Sequence, residues 1–161
     1  MSIKTAQICL NGHIVNGNIE EYPEHNKNFC PYCGEKTISK CSKCGTRIKG
    51  DESSDDDSVV FYISMSHSPK FCPECGNPFP WTKKEIEAAK EYADLIDKLN
   101  DEEKEQLKGS IDDMIQEGPR TKLGVAKFKK FITKAGADTA QAFKDILVDV
   151  LSESVKKSLW G

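Results

Sequence analysis

The sequence predicts an α+β protein in which a small β-hairpin region is followed by a helical region. Two observations support this prediction. All seven cysteines lie before residue 76, among prolines and Cys-Gly turns. After Trp81 the chain changes to long runs rich in Glu, Lys, Ala, Leu and Ile, with apolar residues three and four positions apart, as in amphipathic helices. We therefore expect two regions, residues 1–81 and residues 82–161.

The composition is that of a globular protein. The chain has 161 residues, of which 37% are hydrophobic and 30% charged, enough for one ordinary domain or two small ones. No apolar run reaches the ~18 residues that a membrane span requires, and the first residues lack the pattern of a secretory signal. We therefore expect a cytoplasmic protein, in an environment that does not maintain structural disulfides.

The first region contains one clear strand. Residues 59–65 are mostly β-branched or aromatic, which favours a β-strand. The preceding residues 50–58 are acidic and polar and include no apolar residue, so they cannot contribute to a core. We expect a mobile acidic loop at 50–58.

Six of the cysteines form three Cys-x-x-Cys pairs, and Cys9 with His13 makes a fourth pair of possible metal ligands. Each half of the region has an opening pair followed by Phe-Cys-Pro-x-Cys-Gly. Ligands two or three residues apart at a glycine-containing turn form a knuckle, and two facing knuckles supply the four tetrahedral ligands that Zn²⁺ prefers. The pattern predicts two closed, structural zinc sites. Their ligands are Cys9, His13, Cys30, Cys33, Cys41, Cys44, Cys72 and Cys75.

The sequence leaves open how the four knuckles pair. In a sequential arrangement the first two knuckles share one zinc and the last two share the other. In an interleaved cross-brace the first knuckle pairs with the third and the second with the fourth. His25 or His67 could replace His13, although His13 follows Gly12 in a knuckle-like turn. A thioredoxin-like redox pair would require a βαβ context, which these turn-rich segments lack.

Four helices are predicted after residue 81. Thr82 to Glu85 and Asn100 to Glu103 have the pattern of capping boxes, so a helix is expected to begin at each. Gly118-Pro119 ends the second helix. The third helix is expected over 122–135 and the fourth over about 138–159. Their apolar faces include Ile86, Ala89, Ala93, Ile96, Leu99, Leu107, Ile111, Met114, Ile115, Phe143, Ile146, Leu147, Val150, Leu151, Val155 and Leu159.

Basic residues accumulate in and just before the third helix, with no acidic residue among them. They are Arg120, Lys122, Lys127, Lys129, Lys130 and Lys134. Such a helix can contact phosphates, anionic lipid or a groove of another protein. The acidic helices within residues 82–117, whose net charge is −6, can also neutralise it within the chain.

We find no phosphate-binding glycine loop, no Gly-x-Ser-x-Gly and no His-Glu-x-x-His motif. We therefore expect a non-enzymatic adaptor or regulatory protein. In this hypothesis the zinc module presents Phe79 and Trp81 to a protein partner, and the C-terminal helices, which end at Trp160, mediate assembly or self-association. The alternatives are a nucleic-acid-binding protein that uses the zinc-ribbon loops and the basic helix 120–134, and a component of a multi-protein effector or toxin system.

Several motifs resemble a known family. The knuckle pairs resemble zinc ribbons in general. More narrowly, Ile8 to His13, the closely spaced second and third knuckles, and Phe71 to Gly76 followed by Pro78 to Thr82 resemble a bacterial family known as a domain of unknown function. The resemblance covers most of the chain, including the helical tail. It implies a bacterial cytosolic zinc protein and implies no particular activity.

Overall fold

The computed structural model describes residues 2–56 and 59–161. The chain divides into two compact units, Met1–Lys83 and Lys84–Gly161. In the described residues, short antiparallel strands occupy the first unit and helices dominate the second. The predicted α+β class is therefore confirmed. None of the helices in the described ranges is both long and apolar enough to cross a membrane.

Among its described residues, the first unit contains two three-stranded antiparallel sheets. The strands are β1 (Ser2–Thr5), β2 (Gln7–Cys9), β3 (Ile14–Asn16), β4 (Thr37–Ile38), β5 (Lys49–Asp56) and β6 (Val59–Ile63). Strand β2 lies between β3 and β4, and strand β5 lies between β1 and β6. A short 3₁₀ helix, Pro23–His25, lies between β3 and β4 in the chain.

The acidic segment that we expected to be a mobile loop is a strand up to Asp56, so that prediction is wrong for these residues; residues 57 and 58 lie outside the described residues. Glu52 lies opposite Ile3 of β1 on one side and opposite Ile63 of β6 on the other. A strand needs partners for its backbone N–H and C=O groups, and β5 has partners on both sides whatever its side chains are. The expected strand after it is confirmed over Val59–Ile63.

The core of the first unit is small and includes two metal-ligand candidates. Its buried residues are Ala6, Ile8, Cys41, Ile48, Cys72, Phe79 and Trp81. The rings of Phe79 and Trp81 stack with their centroids 4.9 Å apart, and Trp81 Nε1 donates a hydrogen bond to the Pro69 carbonyl at 2.8 Å. The hypothesis that these two aromatic residues are presented to a partner is therefore wrong. Their rings are the largest apolar groups of this core, and the indole N–H has an acceptor within it.

Polar side chains organise the segment between β3 and β4. Asn16 Nδ2 donates to the Tyr22 carbonyl at 2.8 Å and to Asn26 Oδ1 at 2.7 Å. The backbone N–H of Thr5 donates to Glu20 Oε2 at 3.0 Å. These bonds satisfy backbone and side-chain groups in a segment that has few apolar residues.

Five helices follow in the described chain. They are α1 (Pro80–Asp94), α2 (Asp101–Ile115), α3 (Thr121–Ala135), α4 (Ala137–Leu147) and α5 (Glu153–Trp160). Helix α1 begins two residues before Thr82, with a proline at its first position, so the predicted capping box at Thr82 is wrong. The second box is confirmed, since Asn100 Oδ1 accepts from the Glu103 N–H at 2.8 Å and Glu103 Oε1 accepts from the Asn100 N–H at 3.3 Å.

The fourth predicted helix is two helices. Helix α4 ends at Leu147 and a turn over residues 148–150 follows, after which the Ser152 hydroxyl accepts the Val155 N–H at 3.3 Å as the N-cap of α5. Val150 and Leu151 are buried within the break, so the apolar pattern continues where the helix does not. For this reason periodicity alone predicted one long helix. The predicted stop of α3 at Gly136, which has φ +108°, is confirmed.

Aromatic packing and one close helix crossing shape the second unit. Phe143 meets Phe128 and Tyr92 edge to face, with ring centroids 5.5 Å and 5.1 Å apart. Helices α2 and α3 approach closely at Gly124, where an added Cβ would lie 2.7 Å from Asp113 Cβ and 3.0 Å from the Ser110 carbonyl oxygen. The crossing therefore leaves no room for a side chain at position 124 of α3.

Two alanine substitutions should therefore have opposite effects on stability. Gly124→Ala should destabilise the protein by roughly 1–3 kcal/mol because its Cβ overlaps the facing helix. Gly109→Ala, in α2 where an added Cβ meets open space, should stabilise it by about 0.5–1 kcal/mol through helix propensity. Chemical denaturation followed by circular dichroism measures both changes. A stabilising Gly124→Ala would contradict the close crossing.

The carboxyl group of Glu103 should titrate below its ordinary range. The side-chain bond from Lys134, with Nζ 2.7 Å from Oε2, and then the backbone N–H of Asn100 lower its pKa. A lowered folded-state pKa stabilises the fold above the unfolded pKa of about 4.3, and this contribution is lost as the pH falls through the folded value. NMR titration of Glu103 should show its pKa rising toward the ordinary value in Lys134→Ala and rising less in Lys130→Ala. Equal shifts in the two variants would contradict the dominant role of Lys134.

Candidate metal centres

Three of the four ligand pairs share one local structure. In each, the N–H of the first cysteine donates to a carbonyl five residues later, and the N–H of the glycine after the second cysteine donates back to the carbonyl of the first. The first of these bonds is 2.7 Å long at Cys30, 2.8 Å at Cys41 and 2.9 Å at Cys72. The glycine has φ between +71° and +78°, a conformation that L side chains rarely adopt. The repeated Cys-Gly dipeptide therefore encodes the turn.

The fourth pair, Cys9 and His13, has one more intervening residue and a different turn. The Cys9 N–H donates to the His13 carbonyl at 3.0 Å, and the Gly12 N–H donates to the Cys9 carbonyl at 2.9 Å. Gly12 has φ +92°, and a Cβ there would lie only 3.0 Å from Trp81 Cβ. This turn therefore rests against the core tryptophan.

The structure brings the eight predicted ligands together in two groups of four. One group holds Cys9, His13, Cys30 and Cys33, and the other holds Cys41, Cys44, Cys72 and Cys75; within each group the ligand atoms lie within 4.8 Å of one another. This is the grouping of the sequential arrangement. Pairing of β2 with β4 explains the first group, because Cys9 lies opposite Thr37, just after the hairpin that carries Cys30 and Cys33.

Neither spare histidine joins a group among the described residues. The ring of His25 stacks on Tyr22 with centroids 6.0 Å apart. His67 Nδ1 lies 2.8 Å from Ser66 Oγ.

The spacing of the donor atoms matches a tetrahedral metal site. For metal bonds of about 2.3 Å to sulfur and 2.0–2.1 Å to nitrogen, the edges of the tetrahedron are about 3.8 Å between sulfurs and about 3.6 Å between sulfur and nitrogen. The Sγ atoms of Cys9 and Cys33 are 3.7 Å apart, and His13 Nδ1 lies 3.4 Å from Cys9 Sγ and 3.6 Å from Cys30 Sγ. In the second group the sulfur separations are 3.8 Å and 3.6 Å. Disulfide bonding would require about 2.05 Å.

Burial differs between the two cysteines of each knuckle. Cys30, Cys41 and Cys72 are buried, whereas Cys33 and Cys44 are exposed and Cys75 is half-buried. In the second group Cys41 and Cys72 belong to the core of the first unit, Cys75 packs against that core, and Cys44 is exposed. Each group can hold one metal ion, with four protein donor atoms around it.

Hydrogen bonds and burial shift the pKa values of several thiols differently. A bond from the Glu35 backbone N–H lowers the pKa of Cys33 to about 6, and hydrogen bonding with the side chain and backbone of Thr46 lowers the pKa of Cys44 to about 6. The Asn77 N–H acts in the same direction on Cys75, but desolvation and the neighbouring thiols outweigh it and raise the pKa of Cys75 to about 11. Burial raises the pKa of Cys9. Each group therefore contains a thiol that ionises readily, which suits capture of a cation.

Two exposed aromatic residues beside the first group were missed by the sequence reasoning. Phe29 and Tyr32 are 63% and 77% exposed, and the Tyr32 ring lies 5.9 Å from that of His13. The signal was present in the repeat, because Tyr32 occupies the variable position of Phe-Cys-Pro-x-Cys-Gly, where the second half of the region has Glu74.

The basic residues predicted as a contact surface divide into two sets. Arg120 Nε lies 3.0 Å from Asp113 Oδ1 and Lys134 Nζ lies 2.7 Å from Glu103 Oε2, so α2 neutralises both. The second set makes no ion pair with any residue in 2–56 or 59–161. It comprises Lys122, Lys127, Lys129 and Lys130. Neutralisation within the chain is therefore partial.

Comparison with known proteins places the chain in a family. Residues 2–159 match the model of the family described as "Uncharacterized protein conserved in bacteria (DUF2321)". The match covers nearly the whole chain, so the chain belongs to this bacterial family. No curated protein and no solved structure matches the chain.

Removal of a single ligand should release one metal ion and leave the other site loaded. We expect Cys30→Ser to lose about one equivalent from the first group and Cys72→Ser to lose about one from the second, because a ligand missing from a closed site removes most of its affinity. Native mass spectrometry counts the ions. A matched control is Ser42→Ala, within a knuckle but outside the ligand set.

The same substitutions test the grouping. Under the observed arrangement, Cys9→Ser should increase the alkylation rate of Cys30 and Cys33 and leave that of Cys41 and Cys44 unchanged. Faster alkylation of Cys41 and Cys44 instead would support the cross-brace.

Proposed function

We propose that this member of the family is a non-enzymatic adaptor or regulatory protein that holds two structural zinc ions and acts by binding other proteins. One observation carries the proposal: each group supplies four protein donor atoms at tetrahedral spacing. A catalytic zinc keeps a coordination position for water or substrate, whereas four protein ligands fill all positions. The arrangement therefore favours a structural role for both ions.

Zinc suits these donors and this fold. Sets of thiolates with or without one imidazole, in tetrahedral geometry, are preferred by zinc. The hydrophobic core of the first unit is small for its roughly 80 residues, and metal binding supplies folding free energy that such a core lacks. Retention of reduced thiols for metal binding is consistent with a cytoplasmic protein.

Phe29 and Tyr32 support the binding role. Large aromatic side chains that remain exposed on a folded surface are typical of contact sites, where they supply apolar area at low conformational cost. The Tyr32 N–H donates to Cys30 Sγ at 3.4 Å, so a bound ion would fix the backbone that carries the tyrosine. We assign to these two residues the partner-contacting role that the sequence suggested for Phe79 and Trp81.

Nucleic-acid binding is the second candidate function. Four basic residues of α3 without ion pairs in the described chain favour it, since unpaired lysines are available to phosphates. Two observations weaken the case for nucleic-acid binding. Helix α2 neutralises Arg120 and Lys134, and the net charge of the chain is −3.

The protein purified untagged from a bacterial host of this family should carry two zinc ions and a protein companion in native mass spectrometry. Phe29→Ser and Tyr32→Ser should lose the companion and keep both zinc ions, because the two side chains are exposed and are not ligands. Tyr62→Ser, which removes another exposed aromatic ring, from β6, is the matched control and should keep the companion. A wild-type protein with two zinc ions and no companion would contradict the proposal.

A further inference from the structure

A groove lies between α3 and α5 in the helical unit. Its volume is about 650 Å³, within the range of ligand-binding sites. Val125, Ala126 and Val155 form its apolar lining, and Lys122 and Lys129 bring charge to it. All of these residues belong to the second unit.

The charge of the groove is positive and uncompensated. Lys122 and Lys129 are exposed, and neither makes an ion pair with any residue that the structure describes. No acidic side chain is among the residues lining the groove. Glu153 precedes Ser154 of the groove lining in the chain, and its Oε1 forms an ion pair with Lys156 Nζ at 3.0 Å.

The arrangement along α3 is periodic. Lys122 and Lys129 are seven residues apart, about 10.5 Å along a helix, and Val125 and Ala126 lie between them on the same face. This face differs from the one packed in the core, which comprises Gly124, Phe128, Phe131, Ile132 and Ala135. A partner helix that carries acidic residues seven apart, with apolar residues three and four positions after the first, has the complementary pattern.

We propose that the groove between α3 and α5 binds an acidic amphipathic helix of a partner protein. Its apolar side chains lie against Val125 and Ala126, the apolar lining residues that are not buried, and its two carboxylates pair with Lys122 and Lys129. Charge complementarity selects this occupant. Phosphates of a nucleic acid satisfy the lysines but offer no apolar side chains for the groove. The inference rests on the proposed binding of proteins and adds the site and the chemistry of one partner segment.

A synthetic helical peptide provides the probe. An alanine-rich peptide with Glu at positions i and i+7 and Leu at i+3 and i+4 should bind the zinc-loaded full chain saturably in fluorescence anisotropy. The Lys122→Glu, Lys129→Glu double variant should weaken this binding about tenfold or more, since two ion pairs become two repulsions. A second peptide, in which Lys replaces both Glu residues, should bind this double variant more tightly than it binds the wild-type protein.

The control variant makes the same change in charge on the same helix. Lys127→Glu, Lys130→Glu alters two lysines that are not in the groove lining, and should weaken binding clearly less than the groove double variant does, since neither lysine faces the peptide's carboxylates. Ala126→Trp, at an exposed position, should block the groove while leaving the thermal unfolding of the protein unchanged.

Three binding results would overturn the proposal. The first is that the acidic peptide does not bind saturably at 0.1 M salt. The second is that the two double variants lose peptide affinity equally. The third is that a DNA or RNA oligonucleotide binds tightly and that its binding, but not that of the peptide, depends on Lys122 and Lys129. A self-associated protein whose contact is broken by Ala126→Trp would identify a second copy as the occupant and overturn it as well. None of these results involves Phe29 or Tyr32, so failure here is distinguishable from failure of the proposed adaptor role.

Discussion

Convergence of four donor atoms from two tight turns is the constraint on which residues 1–83 depend. Each turn is set locally by a glycine with positive φ and by backbone bonds that close the hairpin. The turns are also tied to the core, because Cys41 and Cys72 are buried with Ile8 and Trp81. A change in the position of one turn therefore alters donor geometry and core packing together, so binding of a metal ion to either group would be coupled to folding of this unit.

The helical unit depends on packing instead. Helices α2 and α3 meet so closely at Gly124 that their backbones set the distance, and Phe128 and Phe143 fill the space beyond. Its surface ion pairs contribute little to stability individually, because exposed pairs in water are weak. Their arrangement determines where positive charge remains. The pairs of α2 with Arg120 and Lys134 leave the middle of α3 positively charged.

Much of the local structure could be predicted from the sequence, because it follows from interactions between residues a few positions apart. The Asn100–Glu103 capping box and the stop at Gly136 both belong to this class. The predictions that were wrong share a different cause, which is that they concern the arrangement of the whole chain. Strand β5 exists because of partners distant in the chain, so its acidic composition could not reveal it. The break between α4 and α5 is hidden because the buried Val150 and Leu151 continue the apolar period across it.

The sequence by itself determined the set of eight possible ligands and the turns that present them, since ligand type, spacing and the following glycine are all local. Only the tertiary structure decided which turns share a group of donors. That choice depends on strand pairing over long sequence separation, as between Cys9 and Thr37. It also decided that Phe79 and Trp81 are interior while Phe29 and Tyr32 face solvent. All four are large aromatic residues in the sequence, and burial is a property of the complete packing arrangement, which short-range patterns do not contain.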